Sequence, residues 1–329
     1  MHSMNDVFFL NKYVKINEIV ENGVSTRYEY ECEYGKVSHG FIKRKIETII
    51  DGNEYFDIIT PYGYGGPIIT ETSDHSKLLE LYFASFKAFC AENNIISEFM
   101  RFHLFDNILI RQNYYGEVIN LSSNVIRDLQ LPMDEIWLDF DRKVRKNYRR
   151  ATKDGITLQL DQTGSGVREF LNIYYRTMER NSATNYYYFP ESYFEDINLN
   201  LMGHYAYFHA MMDQKIVSTE LVLFSDKYAY SFMGGTSSEY YSSRPNDFLK
   251  VEIIKWCKES GKELFVLGGG YKKDDGIYQY KKAFSPNLAA DFYLGKYIHN
   301  NDVYDRLVAL REQEKSYDKN TNFFPAYRG

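Results

Sequence analysis

Two stretches of this chain share one order of elements: a strand, a glycine-rich turn, a helix and a second strand. The first copy runs from a strand over 57–60 into Pro61-Tyr62-Gly63-Tyr64-Gly65-Gly66-Pro67, then a helix over 76–92 and a strand over 95–104. Leu79, Phe83, Phe86 and Cys90 recur at helical spacing. Asp74 and Ser76 are both placed to cap this helix, and Asn93-Asn94 ends it. The second copy has strands over 216–224 and 227–232, Gly234-Gly235 read as a turn, and a helix over 247–260 carrying Leu249, Ile253, Trp256 and Cys257. Pro245 and Asn246 start that helix and Gly261 stops it. A strand over 262–267 follows and ends in Gly268-Gly269-Gly270. One-faced strands and helices must bury those faces against each other, so the alternation predicts an α/β (α+β) architecture. Two copies of one unit account for the repeat, although this order is also common in unrelated α/β folds.

The length supports division. At 329 residues the chain exceeds what a single core usually fills. The expected boundary is a basic run, Arg142-Lys143-Val144-Arg145-Lys146-Asn147-Tyr148-Arg149-Arg150, which reads as a helix after an apparent strand over 135–140. The domains are then 1–140 and 141–300. Val303, Leu307 and Leu310 mark an amphipathic helix over 301–315 within a C-terminal segment, 301–329.

Charge and cysteine usage exclude several classes. The net charge is −6, whereas a general nucleic-acid binder would be basic, so any RNA contact is local. Cys32, Cys90 and Cys257 are odd in number and far apart, which suits a reducing compartment. No stretch approaches the ~20 apolar residues that span a bilayer, and residues 1–12 are too short for a signal peptide. The expected location is the cytoplasm. The 31 Tyr, 23 Phe and 2 Trp can fill a large core, and tyrosine keeps a hydroxyl for a polar cleft.

Two further motifs complete an ordered set. One is Trp137…Arg142-x-x-Arg145-x-Asn147-x-x-Arg150-Ala151-x-Lys153-x-Gly155. The other is Leu267-Gly268-Gly269-Gly270 followed by Gly276 and Tyr280-Lys281-Lys282-Ala283-Phe284. In order and spacing this set resembles the FemABX family of peptidoglycan bridge aminoacyltransferases and its BioF2-like GNAT relatives. The resemblance covers roughly 137–292; the first half matches only through 61–67 and 98–104. It implies two tandem GNAT-like domains, each a mixed central sheet flanked by helices, facing a shared cleft, with the C-terminal segment returning to the first domain. It implies transfer of an acyl group to an amine, with acyl-CoA or aminoacyl-tRNA as donor and no permanently bound cofactor. The Arg/Gln-x-x-Gly-x-Gly/Ala pyrophosphate loop of acetyl-CoA-dependent GNATs is missing, and so is a long coiled-coil insertion.

Amide formation needs a deprotonated amine, a polarised carbonyl and a grip on the carrier. Lys281 is the leading candidate. On a short helix over 277–284 it lies beside an apolar stripe of Ile277, Tyr280 and Phe284, where a cation could hold a phosphate or developing carbonyl charge; a solvated surface lysine is the alternative. Tyr280 is a candidate binding residue beside it, while Lys272, Lys273 and Lys282 read as surface charges. The turn at Gly268, Gly269 and Gly270 allows close backbone approach to a ligand. Glu220 shares a strand face with Val222 and Phe224, so it is either a general base with a raised pKa or one half of a salt bridge, with Arg244 as a partner. Arg142, Arg145 and Arg149 recur at i, i+3, i+7, widened by Lys146 and Arg150, with no carboxylate before Asp154. That density suits a pyrophosphate, a tRNA backbone or an anionic lipid carrier, although charge runs are often only solvated faces. Arg101 and His103 alternate with Phe102 and Leu104 on a strand and point toward one face, His103 as a structural residue. Tyr62, Tyr64 and Tyr186-Tyr187-Tyr188 line a sugar or peptide groove or else pack at edges. No metal constellation, Walker A, Rossmann fingerprint or Gly-x-Ser-x-Gly elbow occurs.

The expected function is an N-acyltransferase acting on a phosphorylated precursor, a nucleotide sugar or lipid-linked cell-wall peptide. tRNA would be met through the local basic patch, and any membrane contact would be peripheral. The competing readings are a carbohydrate- or nucleotide-binding protein on a degenerate GNAT scaffold and, more weakly, an RNA-binding module.

Overall fold

Hydrophobic residues at the predicted spacings sort the chain into two compact units, one built from Phe8–Leu121 and Phe292–Gly329, the other from Ser122–Asp291 with residues 6–7. The computed structural model describes residues 6–272, 275–314 and 323–329.

The first unit begins with α1 (Asn11–Ile16) and α2 (Glu18–Glu21). It continues with β1 (Val24–Cys32), β2 (Gly35–Ile50), β3 (Asn53–Ile59), β4 (Gly66–Thr72), α3 (His75–Glu92), β5 (Ile95–Arg101) and α4 (Ile108–Gln112). β1, β2 and β3 form an antiparallel meander, and β4 also pairs with β2. β3 and β5 are parallel, as a helical crossover requires. α3 is the helix expected from its stripe: Leu79, Phe83, Phe86 and Cys90 are buried, and Asp74 caps it by accepting from Ser76 N and Lys77 N at 3.1 Å.

The chain enters the second unit within β6 (Glu117–Asp128). α5 (Met133–Asp139), α6 (Arg142–Lys153), β7 (Thr157–Asp161), α7 (Val167–Arg180), α8 (Glu191–Asn200), β8 (Tyr205–Met212), β9 (Lys215–Phe224), β10 (Tyr228–Thr236), α9 (Pro245–Glu259), β11 (Leu264–Gly268) and α10 (Gly276–Lys282) follow. The sheet order is β6-β11-β10-β9-β8-β7, parallel only between β10 and β11, where α9 makes the crossover. α7 packs against β9 and β10, and α9 packs against β8, β9 and β10 and carries α6 on its outer side.

β12 (Ala289–Ile298) returns the chain to the first unit, where it pairs antiparallel with β5, and α11 (Asn301–Arg311) follows. Val303, Tyr304 and Leu307 of α11 pack with Ile46, Ile50 and Ile96, and Tyr327 joins that cluster. Tyr327 also donates to Asp57 Oδ2 at 3.0 Å. The C-terminal residues therefore belong to the first unit's core. The helix stops at Arg311, short of the expected 315, and Lys273 and residues 315–322 lie outside the described residues.

Three sequence expectations are corrected. The boundary falls at 121/122 rather than 140/141. The second half of β6 is already tied into the later unit: Ser285 Oγ donates to Ile126 O, and Arg127 pairs with Asp139 and reaches Phe284 O. Residues 135–139 are helical, not a strand, and Phe140 ends the helix. Ile136, Leu138 and Phe140 mimic alternation, but Leu138 is 70% exposed while Ile136 and Phe140, four apart, are buried. Pro132 precedes the helix, and Asp134 and Glu135 occupy its first turn, where negative charge is favoured. Gly234-Gly235 is β10 rather than a turn. A Cβ on Gly235 would stand 2.4 Å from Thr177 Oγ1 of α7, so glycine here permits helix-to-strand contact.

The entry to α7 is fixed by one carboxylate. Asp161 accepts from the amides of Thr163 (2.8 Å), Gly164 (3.0 Å) and Gly166 (2.8 Å) and from the hydroxyls of Thr163 and Ser165. Burial alone would raise its pKa, but these bonds, led by the Gly166 amide, hold it at about 2. A depressed carboxylate stabilises above its unfolded pKa, and that stability is lost as pH falls through the folded value. Asp161→Ala is therefore expected to cost about 1 kcal/mol at neutral pH, with the difference from wild type vanishing as pH falls from 3.8 through about 2. Urea unfolding at a series of pH values measures it. Among the described residues no helix is long and apolar enough to cross a membrane.

Candidate active site

The second unit gathers buried polar groups where β9, β10, β11 and α9 meet α10. β11 ends at Gly268, whose φ of +87° is the left-handed conformation that favours glycine. The following Gly269-Gly270 carries the chain toward α10. Asp275 holds this loop: its Oδ2 accepts from Tyr271 N (2.7 Å) and Lys272 N (2.9 Å), and its Oδ1 caps α10 through Tyr278 N (2.8 Å). These amide bonds lower its pKa.

The fixed helix turns Lys281 back onto the glycines, and Nζ donates to Gly269 O at 2.7 Å. Burial above all, then the charge of Lys250, lowers the Lys281 pKa to about 8, against the opposing pull of Glu220 and Asp275. Glu220 is buried on β9, as its strand face predicted. Its partner is Lys250 of α9 and not Arg244: Lys250 Nζ donates to both carboxylate oxygens, at 2.5 and 2.6 Å, and to Ser231 Oγ at 3.0 Å. Glu220 is thus one half of a buried ion pair. Tyr280 turns its hydroxyl inward, where it is buried without a hydrogen-bond partner among the described residues. Burial first, then Asp247 and Glu220, raise its pKa well above the ordinary value. Asp247 accepts from Asn147 Nδ2 at 3.2 Å, and burial raises its pKa.

The arginine run is α6, and its members differ in role. Val144 and Ala151 are buried against the core. Arg142, Lys146, Arg149 and Lys153 are exposed and recur at i, i+4, i+7, i+11, which makes a cationic row along the outer face. Arg145 is not part of that row. Its guanidinium donates to Leu138 O (2.5 Å) and Phe140 O (2.6 Å), so it closes the C-terminal end of α5. Arg149 lies over the Trp137 ring at 5.7 Å.

Arg101 and Tyr64 belong to the first unit and have scaffold partners there. Arg101 donates to Thr60 O at 2.6 Å and pairs with buried Glu21 at 3.5 Å. Tyr64 packs edge-on against Phe8 and Phe292. β5 ends at Arg101, so the expected strand pairing of Arg101 with His103 on one face is not formed. The first unit also brings Cys90, Glu98 and His299 within metal-ligand reach of one another. Glu98 already accepts from Tyr114, Tyr115 and His299, and that fully satisfied carboxylate fits a buried hydrogen-bond network.

Known proteins resemble this chain in sequence and fold. A family described as an acetyltransferase (GNAT) domain matches residues 139–282, the stretch that carries α6, Glu220, Lys250, the glycine turn and Lys281. The UDP-N-acetylmuramoylpentapeptide-lysine N(6)-alanyltransferase of Weissella viridescens is 25% identical over 194 residues. The crystal structure of FemX superposes with a TM-score of 0.71 at 16% identity, over 90% of this chain and 93% of that one. The chain is similar to GNAT acetyltransferases over residues 139–282 and shares the fold of FemX. The C-terminal domain of a putative lysylphosphatidylglycerol synthetase from Agrobacterium fabrum shares the fold more loosely, with a TM-score of 0.55 at 15% identity over 91% and 89% of the two chains. The alanyltransferase match spans 56% of this chain and 56% of that relative.

The structure brings Lys281, Glu220, Gly268, Gly269, Gly270 and Tyr280 into one region of the second unit. Tyr64 and Arg101 lie outside the GNAT-matched span. Sequence reasoning missed Lys250. The signal for Lys250 was present: a carboxylate facing Val222 and Phe224 demands a buried cation, and Lys250 stands between the core residues Leu249 and Val251.

Proposed function

We propose that this chain is an N-acyltransferase that moves an acyl or aminoacyl group from an activated carrier to an amine on a cell-wall peptide or amino-sugar precursor. The observation that carries this reading is Lys281. It is a cation held against the Gly268–Gly270 turn by Gly269 O, beside the Glu220–Lys250 pair. A fixed charge in a poorly solvated site stabilises the oxyanion that forms when an amine adds to a carbonyl, and it does so without reorganisation. The amine nitrogen forms the new C–N bond, and the carrier's C–O or C–S bond breaks. The departing oxygen or sulfur leaves with the proton that the amine gives up. Tyr280 offers a buried hydroxyl without a partner among the described residues, and the glycine turn lets backbone lie close to the donor. The exposed row of Arg142, Lys146, Arg149 and Lys153 is suited to the phosphates of the carrier, acyl-CoA or aminoacyl-tRNA. Glu220, held by Lys250, sets the local field and is not a free base.

The name of the Weissella relative supplies the first substrates to try. The purified chain is to be offered UDP-N-acetylmuramoyl pentapeptide with labelled alanyl-tRNA, and separately with labelled acyl-CoA. The expected outcome is label in a base-stable amide on the precursor. Thermal stabilisation by the nucleotide sugar, with no product from either donor, would replace this reading with that of a non-catalytic binder.

A further inference from the structure

Opposite Lys281, across the glycine turn, stands a polar side chain that the acyl-transfer chemistry described so far does not use. Asn124 of β6 is 4% exposed. Its Nδ2 is buried and has no hydrogen-bond partner among the described residues. A buried amide NH2 group without a partner is disfavoured and calls for an explanation. Its Oδ1 turns toward the turn. A Cβ built on Gly269 would meet that oxygen at 3.4 Å. A Cβ built on Gly268 would have two neighbours within 4 Å, Lys281 Nζ at 3.1 Å and Asn124 Oδ1 at 3.9 Å. The space beside Gly268 is therefore flanked by a cationic donor and a neutral acceptor. Gly268 keeps it open, both by lacking a Cβ and by its left-handed backbone.

Taking the acyl-transfer reading as its basis, we propose that Asn124 holds the nucleophile: its Oδ1 accepts a hydrogen bond from the attacking amine while Lys281 Nζ donates to the carbonyl oxygen of the acyl group. The two reacting partners present opposite polarity, N–H and C=O, and the two flanking groups match them. One amine hydrogen stays bonded to Asn124, the nitrogen lone pair points at the carbonyl carbon, and the other proton departs with the carrier. Positioning of this kind converts a chance encounter into an aligned one, and its loss falls on transfer to the amine. Water needs no such alignment, so the ratio of amide formed to donor hydrolysed reports on Asn124 separately from oxyanion stabilisation by Lys281.

The test uses the full chain with alanyl-tRNA and UDP-N-acetylmuramoyl pentapeptide, in wild type, Asn124→Leu and Asn124→Asp. Leucine keeps the volume and removes the acceptor, whereas aspartate keeps an acceptor oxygen. The expected result for Asn124→Leu is a fall of ~10²-fold in the ratio of amide to hydrolysis, on the scale of lost positioning, with a melting temperature no lower than wild type because an unpaired amide is removed. Asn124→Asp should retain that ratio within ~10-fold. Equal loss in the aspartate and leucine variants would show that the residue donates or is merely structural, and would overturn the proposal. So would an unchanged ratio in Asn124→Leu. Amide formation by wild type that fails on Lys281→Ala but is indifferent to Asn124 would overturn the role of Asn124 and leave the acyl-transfer reading standing. No transfer by wild type would overturn both.

Discussion

Lys281→Ala is expected to lower amide formation by about 10²–10³-fold, the loss seen when a preorganised oxyanion donor is removed. The same site should become more stable when the charge is taken away. The Lys281 pKa falls from an ordinary 10.5 to about 8. A lysine whose folded pKa is depressed binds protons more weakly in the folded state than in the unfolded state. The destabilisation is fully present below about pH 8, shrinks as pH rises, and is gone above 10.5. Lys281→Met, which keeps the aliphatic stem, should therefore gain of order 1–3 kcal/mol at neutral pH and little at pH above 10.5. Loss of turnover with gain of stability is the pattern of a residue retained for chemistry. Turnover and urea unfolding on the same preparations decide it. A variant that loses both activity and stability would make Lys281 a packing residue.

The Glu220–Lys250 pair carries the largest expected stability effect. Both side chains are buried, and the carboxylate receives two short bonds from one ammonium. Lys250→Met leaves a buried carboxylate with no cation and should cost about 3–5 kcal/mol. Glu220→Leu strands the lysine and should cost a similar amount. The double variant Glu220→Leu/Lys250→Met removes both charges and should recover most of that loss, since an apolar pair of similar volume often replaces a buried ion pair at no net cost. A double-mutant cycle by denaturant unfolding measures the coupling. Additive losses would mean that the two side chains do not act as a pair.

Much of this was legible before any coordinates, and the exceptions have physical causes. α3 and α9 were plain because their apolar stripes sit between good caps and stops. That Lys281 lies beside the buried face of α10 was legible because it neighbours an apolar stripe. α5 was misread because Ile136, Leu138 and Phe140 satisfy two periods at once over so short a segment, and only burial separates them. Gly234-Gly235 was misread because a glycine pair signals a turn locally, whereas here it answers to α7, some sixty residues earlier in the chain. Arg145 was grouped with Arg142 and Arg149 by spacing alone. Its real partners are carbonyls at the end of α5, which helix-face geometry does not reveal. Lys250 was missed because it matters through a residue distant in sequence, Glu220.

The central claim is that a positively charged Lys281 drives acyl transfer in the second unit. The pH dependence of kcat/KM for amide formation, measured on either side of pH 8 in wild type and in Lys281→Arg, tests it most directly. Wild-type activity should fall as pH rises through about 8, where Lys281 loses its proton, while the arginine variant, charged throughout, should keep a flat profile there at whatever lower rate its geometry allows. The same descending limb in both proteins would contradict the account, because it would assign the titration to another group.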